Sequence, residues 1–384
     1  MQQTPAPISS VTRKCSDYFF AAAASDIHLH HPRTPTSLII ANLDRDIICN
    51  PVARELDLIW IPGDLLDRLL TVPDHDNYLI TAFICRLLRF CKKHDICLRI
   101  LEGTGSHDYG QSQIVMTLNE HTGIDADVRY YHRISYDYEE RFGFSVLYVP
   151  DEVNSDATIT WHQVQEVLRD HGVEKVDYAI MHGMFEFQLP QHVNDISAHL
   201  SERYESIVRK RIIIGHHHTH RIQGKVIVPG SFDRLAQNEE GPKGSIWLRD
   251  YGDRVKVEFL ENVGAKTYLQ LSLHGKSIEE AISTVDEFVK DHRPGSAFLI
   301  KAMADDPAAK AMDLFKSRYE QFVWTHAFER EDKTTARLEE IELTYNPRRI
   351  DSGNVVELLM ERFKQTTASP QIQDRAVRLL ETVL

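Results

Sequence analysis

The 384-residue chain predicts a layered α/β domain followed by a smaller α+β unit and terminal helices. Three observations predict it. Over residues 17–262, short apolar runs alternate with segments of helical periodicity. Those runs are followed by polar loops rich in Asp, His and Gly. Over residues 263–350 the order becomes strand, helix, strand, helix, strand, strand, and the clustered histidines disappear.

Residues 1–16 hold Pro5 and Pro7 and no periodicity, so they read as a flexible arm. Phe19–Ala24 reads as a buried strand. The Arg13-Lys14 pair before it gives a faint secretory look, but the run passes directly into Asp26-Ile27-His28 with no cleavage spacer. Leu56–Ile61 is the second strand. Residues 78–94 place Ile80, Phe83, Ile84, Leu87, Leu88 and Cys91 at helical spacing. Cys97–Leu101 and Phe144–Val149 are further strands, 162–171 a helix, and Val176–Met181, Arg211–Ile214 and Val226–Val228 strands again. In the smaller unit Leu269, Leu271 and Leu273 alternate. Ser277 and Glu280 form a capping box before a helix. Ala297–Ile300 is a strand, Asp306-Pro307 starts a helix, and Gln321–Trp324 with Leu338–Leu343 close the unit. Residues 351–384 predict two short helices, the second with an apolar stripe of Ile372, Ala376, Leu379, Leu380 and Val383.

Composition excludes several classes. No apolar run reaches the roughly 20 residues that span a bilayer, so no membrane role is expected. Five cysteines, an odd number with no C-x-x-C, argue against a disulfide framework and a thiolate zinc site. They predict a reducing, cytoplasmic compartment. A net charge of −13 argues against a stand-alone DNA-coating protein. It leaves room for an enzyme that meets DNA through metals and local basic patches, such as Arg209-Lys210-Arg211 or Arg348-Arg349.

Candidate ligands follow the strands in order: Asp26 and His28; Gly63-Asp64-Leu65-Leu66-Asp67; Gly105-Ser106-His107-Asp108; His182-Gly183; and Gly215-His216-His217-His218. In α/β sheets, sites form at the carboxyl ends of strands. Alternate residues leaving a strand can face one way, so Asp26 and His28 can share a cation, as can His216 and His218 with a metal pair. The carboxylate of Asp64 can bridge two. Mixed imidazole and carboxylate ligation suits Mn, Fe or Zn better than Mg. Singly each motif reads as a turn, a helix start or a buried histidine. Five ligand-bearing loops, each after a predicted strand, read as a dinuclear site.

This series resembles the calcineurin-like metallophosphoesterase superfamily. Gly63–Arg68 and Pro229-Gly230-Ser231-Phe232 resemble its SbcD-type nucleases, and the shorter, divergent form of the chain resembles phage-encoded SbcD-like subunits. The motif match covers roughly residues 20–240; beyond that the likeness is of architecture. The resemblance implies a four-layer α/β/β/α sandwich (residues 17–262), an α+β cap that selects DNA geometry (263–350), and terminal helices that bind a coiled-coil ATPase of the SbcC kind (351–384). It implies two divalent cations, Mn²⁺ first, with Mg²⁺, Fe²⁺ or Zn²⁺ as substitutes. Asp26, His28, Asp64 and His218 would hold one. Asp64, His182 and His216 would hold the other, with Ser106 standing where the family has Asn. That departure predicts looser binding of the second metal. His107 would be the catalytic histidine and Asp108 would orient its ring. Asp67, Arg68, His217 and His220 would support ligands or substrate, and His30 and His31 would line the groove. The implied activity is metal-dependent DNA phosphodiester hydrolysis, exo- or endonucleolytic, by a homodimer in the cytoplasm (the host's, for a phage protein). A small-molecule or protein phosphoesterase and a non-catalytic DNA-binding scaffold are the alternatives.

Overall fold

Short β-branched and aromatic runs in the first half of the chain form strands whose two faces are both covered, so they read as continuous apolar segments rather than alternating ones. The computed structural model describes residues 18–151, 156–189, 195–237, 239–292 and 294–329, with Gln373 and Arg375. The chain divides into Met1–Phe328 and Glu329–Leu384, and nearly all described residues belong to the first unit. The expected arm at 1–16, the strand Leu338–Leu343 and the terminal helices at 351–384 lie outside the described residues, except that Gln373 and Arg375 are helical.

Strands β1 (Phe19–Ala23), β2 (Leu58–Pro62), β3 (Cys97–Leu101) and β4 (Val128–Tyr131) run parallel side by side. The chain then crosses to a second sheet of β5 (Ser135–Glu139), β6 (Phe144–Val149), β7 (Val176–His182), β8 (Val208–Gly215), β9 (Arg221–Gln223) and β10 (Val226–Val228), ordered β5-β6-β7-β8-β10-β9. It returns as β11 (Gly244–Asp250) and β12 (Val255–Glu261), antiparallel beside β1, giving a first sheet ordered β12-β11-β1-β2-β3-β4. Helices α1 (Thr36–Leu43), α2 (His75–His94) and α3 (Ile114–Thr122) cover the outer face of the first sheet; α4 (Ala157–Asp170) and α5 (Ser201–Ile207) cover that of the second. Trp60, Tyr148, Tyr178, Ile213 and Leu248 fill the space between the sheets.

Asp74 caps α2 by accepting from Asp76 N at 3.0 Å, and Asp95, left-handed at φ 57°, ends it. The apolar stripe of this helix, Ile80, Phe83, Ile84, Leu87, Leu88 and Cys91, is buried in the core against β1–β3. It is therefore a core face and not a surface for a second subunit. The basic run Arg209–Arg211 is also committed: to Asp177 (3.6 Å), Asp250 (2.6 Å) and the carbonyl of Gly224 (3.2 Å).

A three-stranded sheet follows: β13 (Tyr268–Ser272), β14 (Ala297–Met303) and β15 (Val323–Glu329), ordered as numbered, with β13 and β14 parallel. It packs α6 (Ile278–Phe288), α7 (Pro307–Lys310) and α8 (Met312–Arg318) through Val285, Phe298, Phe315 and Trp324. The Ser277–Glu280 capping box forms in both directions, at 3.2 and 2.9 Å. Thr34 Oγ1 meets Tyr268 OH at 3.2 Å, and Lys266 Nζ donates to Arg33 O at 2.6 Å, tying the small sheet to the loop after β1. Among the described residues no helix is long and apolar enough to cross a membrane.

Candidate metal centre

The parallel strands β1, β2, β3, β7 and β8 end at one edge of the paired sheets, and their exit loops are stitched to each other. Asp26 N donates to Gly63 O (3.2 Å), His28 N to Asp64 O (3.0 Å) and Asp67 N to Leu29 O (2.9 Å). Asp26, His28 and Asp64 each take φ 50°, and His216 takes φ 96°. A left-handed backbone is costly for residues with a Cβ and persists where surrounding contacts over-determine it, which is a mark of functional corners. Gly63 is needed here: at φ 84°, a Cβ on it would lie 2.1 Å from His182 Nδ1.

The converging side chains form overlapping clusters. Asp26, His28 and His218 make one; Asp64, His182 and His216 a second; and His28, Asp64 and His107 a third that joins them. Asp64 Oδ2 lies 3.6 Å from His28 Nε2 and 3.3 Å from His182 Nε2. Asp26 Oδ1 accepts from His216 N at 2.8 Å and lies 3.9 Å from His218 Nε2.

The outer nitrogen of most rings is fixed from behind. His28 Nδ1 meets Asp67 Oδ1 at 3.2 Å, His182 Nδ1 meets Pro62 O at 2.8 Å, and His218 Nδ1 meets Glu239 Oε1 at 2.6 Å. Carbonyl and carboxylate oxygens only accept, so each of these rings carries a proton on Nδ1 and turns Nε2 inward. That is the arrangement of metal-ligating histidines. Buried Asp26 Oδ2 and His28 Nε2 have no hydrogen-bond partner. Such orphans are rare in folded proteins, and here they face the same corner. The donor set fits divalent cations.

The electrostatics agree. Burial opposes charge on both His182 and Asp64, yet each holds the other ionised: His182 is carried up to about 10, chiefly by the Asp64 carboxylate, and Asp64 is held well below the usual carboxylate range, chiefly by His182. His216 goes the other way. Burial first, then His182, pushes it down to about 4. The corner attracts positive charge, and a cation would displace the His182 proton, so metal binding should tighten as pH rises.

Two expectations are corrected. Ser106 is exposed at the outside of the loop. The hydroxyl beside the second cluster is that of Thr104, whose Oγ1 lies 3.3 Å from Asp64 Oδ2, 3.2 Å from His182 Nε2 and 3.3 Å from His216 Nδ1, while Thr104 N donates to Asp64 Oδ1 at 2.6 Å. The cause is the loop turn: His107 N and Asp108 N both return to Thr104 O (2.8 and 3.0 Å), which turns Thr104 inward and leaves Ser106 outside. Asp108 does not orient His107. Its oxygens accept from Leu66 N (2.9 Å) and Gly103 N (2.8 Å), and burial, with Asp64 and Glu102 nearby, pushes its carboxyl up to about 7. The His107 ring is held by Asp67 O, 2.8 Å from Nδ1.

Asp67 stands behind His28, and Arg68 pairs with Asp67 at 3.4 Å. His217 Nδ1 accepts from Thr219 N at 3.3 Å. His220 stacks on Phe259 with ring centroids 4.3 Å apart, as part of the packing beside β12. His31 Nδ1 accepts from Arg33 N (3.2 Å) and Thr34 N (3.0 Å), so it closes a turn. His30 sits between Asp76 (3.0 Å) and Asp74 (3.3 Å) at the start of α2.

The sequence reading missed Thr104 and Glu239. Glu239 is itself clamped by buried Lys243 Nζ (2.9 Å), which also donates to His218 O and Ser231 Oγ at 2.7 Å. No residue spacing flags Glu239, because it arrives from a loop beyond the last strand of the second sheet.

Thr104→Val keeps shape and removes the hydroxyl at the second cluster. Metal affinity there is expected to fall roughly tenfold to hundredfold, while Ser106→Ala and Ser106→Asn bind metal as the native protein does. Metal titration calorimetry on the three variants checks this.

No protein-family model matches the chain, and no curated protein matches it. Among solved structures, TT1561 of Thermus thermophilus is similar at a TM-score of 0.38 and 12% identity, over 63% of this chain and 99% of its own. A second structure is similar at the same TM-score and coverage with 13% identity.

Proposed function

We propose that the chain is a metal-dependent phosphodiesterase acting on DNA, built on a four-layer α/β/β/α metallophosphoesterase sandwich. The layering supports this reading, since one core lies between the two sheets and one on each outer face. The observation that carries it is the meeting of five strand-end loops around the orphaned Asp26 Oδ2 and His28 Nε2. Asp26, His28, Asp64 and His218 would hold one divalent cation, and Asp64, His182, His216 and Thr104 the other. The mixed nitrogen and oxygen donors suit Mn, Fe or Zn better than Mg, and the resemblance to the SbcD-type nucleases puts Mn²⁺ first. When bound, such a pair supplies Lewis-acid polarisation of the phosphodiester and a nucleophile at neutral pH.

The chain's own residues do the rest. Asp67 O fixes the Nδ1 proton of His107, so Nε2 is the nitrogen that exchanges a proton with substrate. From Nε2, an imidazolium gives its proton to the leaving oxygen, or stabilises the charge building there. Glu239 and Asp67 keep the ligand rings of His218 and His28 from rotating away. Supply of DNA affinity by an ATPase partner belongs to this reading, because the run Arg209–Arg211 is spent on internal partners.

The test offers Mn²⁺ with bis(p-nitrophenyl) phosphate and with linear duplex, single-stranded and hairpin DNA. Native protein is expected to hydrolyse both kinds of substrate. His107→Ala should lose roughly a hundredfold to ten-thousandfold in rate with metal content unchanged. Hydrolysis of the small diester alone would favour a small-molecule phosphoesterase, and full metal binding with no hydrolysis would favour a scaffold.

A further inference from the structure

A cavity of about 190 Å³ opens beside the second cluster, walled by His216, Gly183, Met184, Asp151, Ser197 and His199. Only His216 among these belongs to the metal corner. His199 is buried and fixed: its N–H donates to Met184 O at 2.7 Å, its carbonyl accepts from Glu186 N at 3.0 Å, and ring Nδ1 meets Tyr204 OH at 3.3 Å. Its Nε2 comes to the cavity wall at Gly183, where a Cβ would lie only 3.3 Å away. Burial pushes the ring down to about 4, so at neutral pH it is an uncharged imidazole. Burial also raises Asp151, against the pull of His182.

The wall chemistry narrows the occupant. No lysine or arginine lines the cavity among the described residues, so nothing there would neutralise a second phosphate. The His199 imidazole and the Asp151 carboxyl offer polar atoms, Ser197 Oγ, which donates to Asp195 Oδ1 at 2.7 Å, keeps its lone pairs to accept, and Met184 offers an apolar, adaptable face. That suits an uncharged polar heterocycle on a sugar. The volume is below the roughly 300 Å³ at which drug-sized pockets begin, so it admits one such unit and not a base pair. Its position against His216 puts that unit next to a phosphodiester held at the corner.

We propose that this cavity is a subsite for the single unpaired nucleoside flanking the scissile phosphodiester, with His199 and Ser197 as its specificity-determining contacts. The inference rests on the phosphodiesterase reading for its meaning, and it predicts that duplex DNA is cut only where that nucleotide has left its pair.

Two measurements separate the subsite from that reading. The first needs no metal and no turnover: saturation-transfer NMR of deoxyadenosine and thymidine with the full chain in EDTA. Contact is expected with the native protein and loss of it in His199→Leu, with partial return in His199→Gln; Ser197→Ala serves if His199→Leu does not fold. Absence of nucleoside contact with native protein, or contact unchanged in both variants, overturns the subsite. The second compares kcat/KM for thymidine 5′-(p-nitrophenyl) phosphate and methyl p-nitrophenyl phosphate with Mn²⁺. Native protein should prefer the nucleoside ester by roughly tenfold to hundredfold, and the ratio should fall toward one in the variants. A native ratio of one overturns the subsite. Failure to cleave either ester counts against the phosphodiesterase reading, and the NMR result then decides the subsite by itself.

Discussion

Asp64→Asn is expected to cost roughly a thousandfold in Mn²⁺-dependent diester hydrolysis and to reduce bound metal to at most one ion per chain. The expectation follows from position. Asp64 belongs both to the cluster with His182 and His216 and to the cluster with His28 and His107. Oδ1 accepts from Thr104 N at 2.6 Å, leaving Oδ2 between His28 and His182. Asparagine preserves the volume and one acceptor, but an amide nitrogen would replace an oxygen and the negative charge would go. The charge matters separately. Asp64 is the chief support for the raised His182 pKa, so His182 should titrate lower in the variant than in the native protein, visible by ring-proton NMR without metal. Little change in folding is expected, because the carboxylate is balanced mainly by groups of the site itself. Full two-metal occupancy with an unchanged rate would remove Asp64 from the centre of the account.

Arg99→Ala is expected to destabilise the fold by about 3–5 kcal/mol. Arg99 lies mid-strand in β3 at 1% exposure, its guanidinium facing the second sheet. Nε and Nη2 meet the two oxygens of Glu139 at 2.6 and 2.8 Å, a bidentate pair, and Nη1 meets Asp127 Oδ1 at 2.8 Å. Glu139 is itself 2% exposed, so removing Arg99 leaves a buried carboxylate whose remaining cation partner, Arg129, stands 3.8 Å away. Lysine cannot replace the planar fork, so Arg99→Lys should fall between wild type and alanine. The double variant Arg99→Met/Glu139→Gln removes both charges and should recover much of the loss. Urea unfolding midpoints measure all three. A change in Arg99→Ala no larger than that of a surface ion pair, about 1 kcal/mol or less, would contradict the assignment.

What the sequence made legible, and what it hid, divides along physical lines. Asp26, His28, Asp64, His182, His216 and His218 were readable because each leaves a strand whose apolar run marks its own end. Parallel strands then carry their ends to one edge. Thr104 was hidden because two hydroxyl residues stand in Gly103-Thr104-Gly105-Ser106, and only the backbone turn onto Thr104 O decides which one faces inward. Asp108 follows His107 directly, yet its oxygens are taken by Leu66 N and Gly103 N, backbone donors that no motif records. β11 and β12 were unread because their pairing beside β1 joins residues far apart in the chain, as in Phe19 opposite Asp250. Arg99 was the clearest missed signal. A charged residue inside Cys97–Leu101 required a buried partner, though not which one.

The central claim is that the strand-end corner is a two-metal centre. Crystals of the protein soaked in Mn²⁺ and measured for anomalous scattering test it most directly. Two peaks are predicted, one bounded by Asp26, His28 and His218, the other by Asp64, His182, His216 and the Thr104 hydroxyl, with Ser106 at neither. No peak at this corner, or a metal held by Ser106 with Thr104 turned away, would contradict the account.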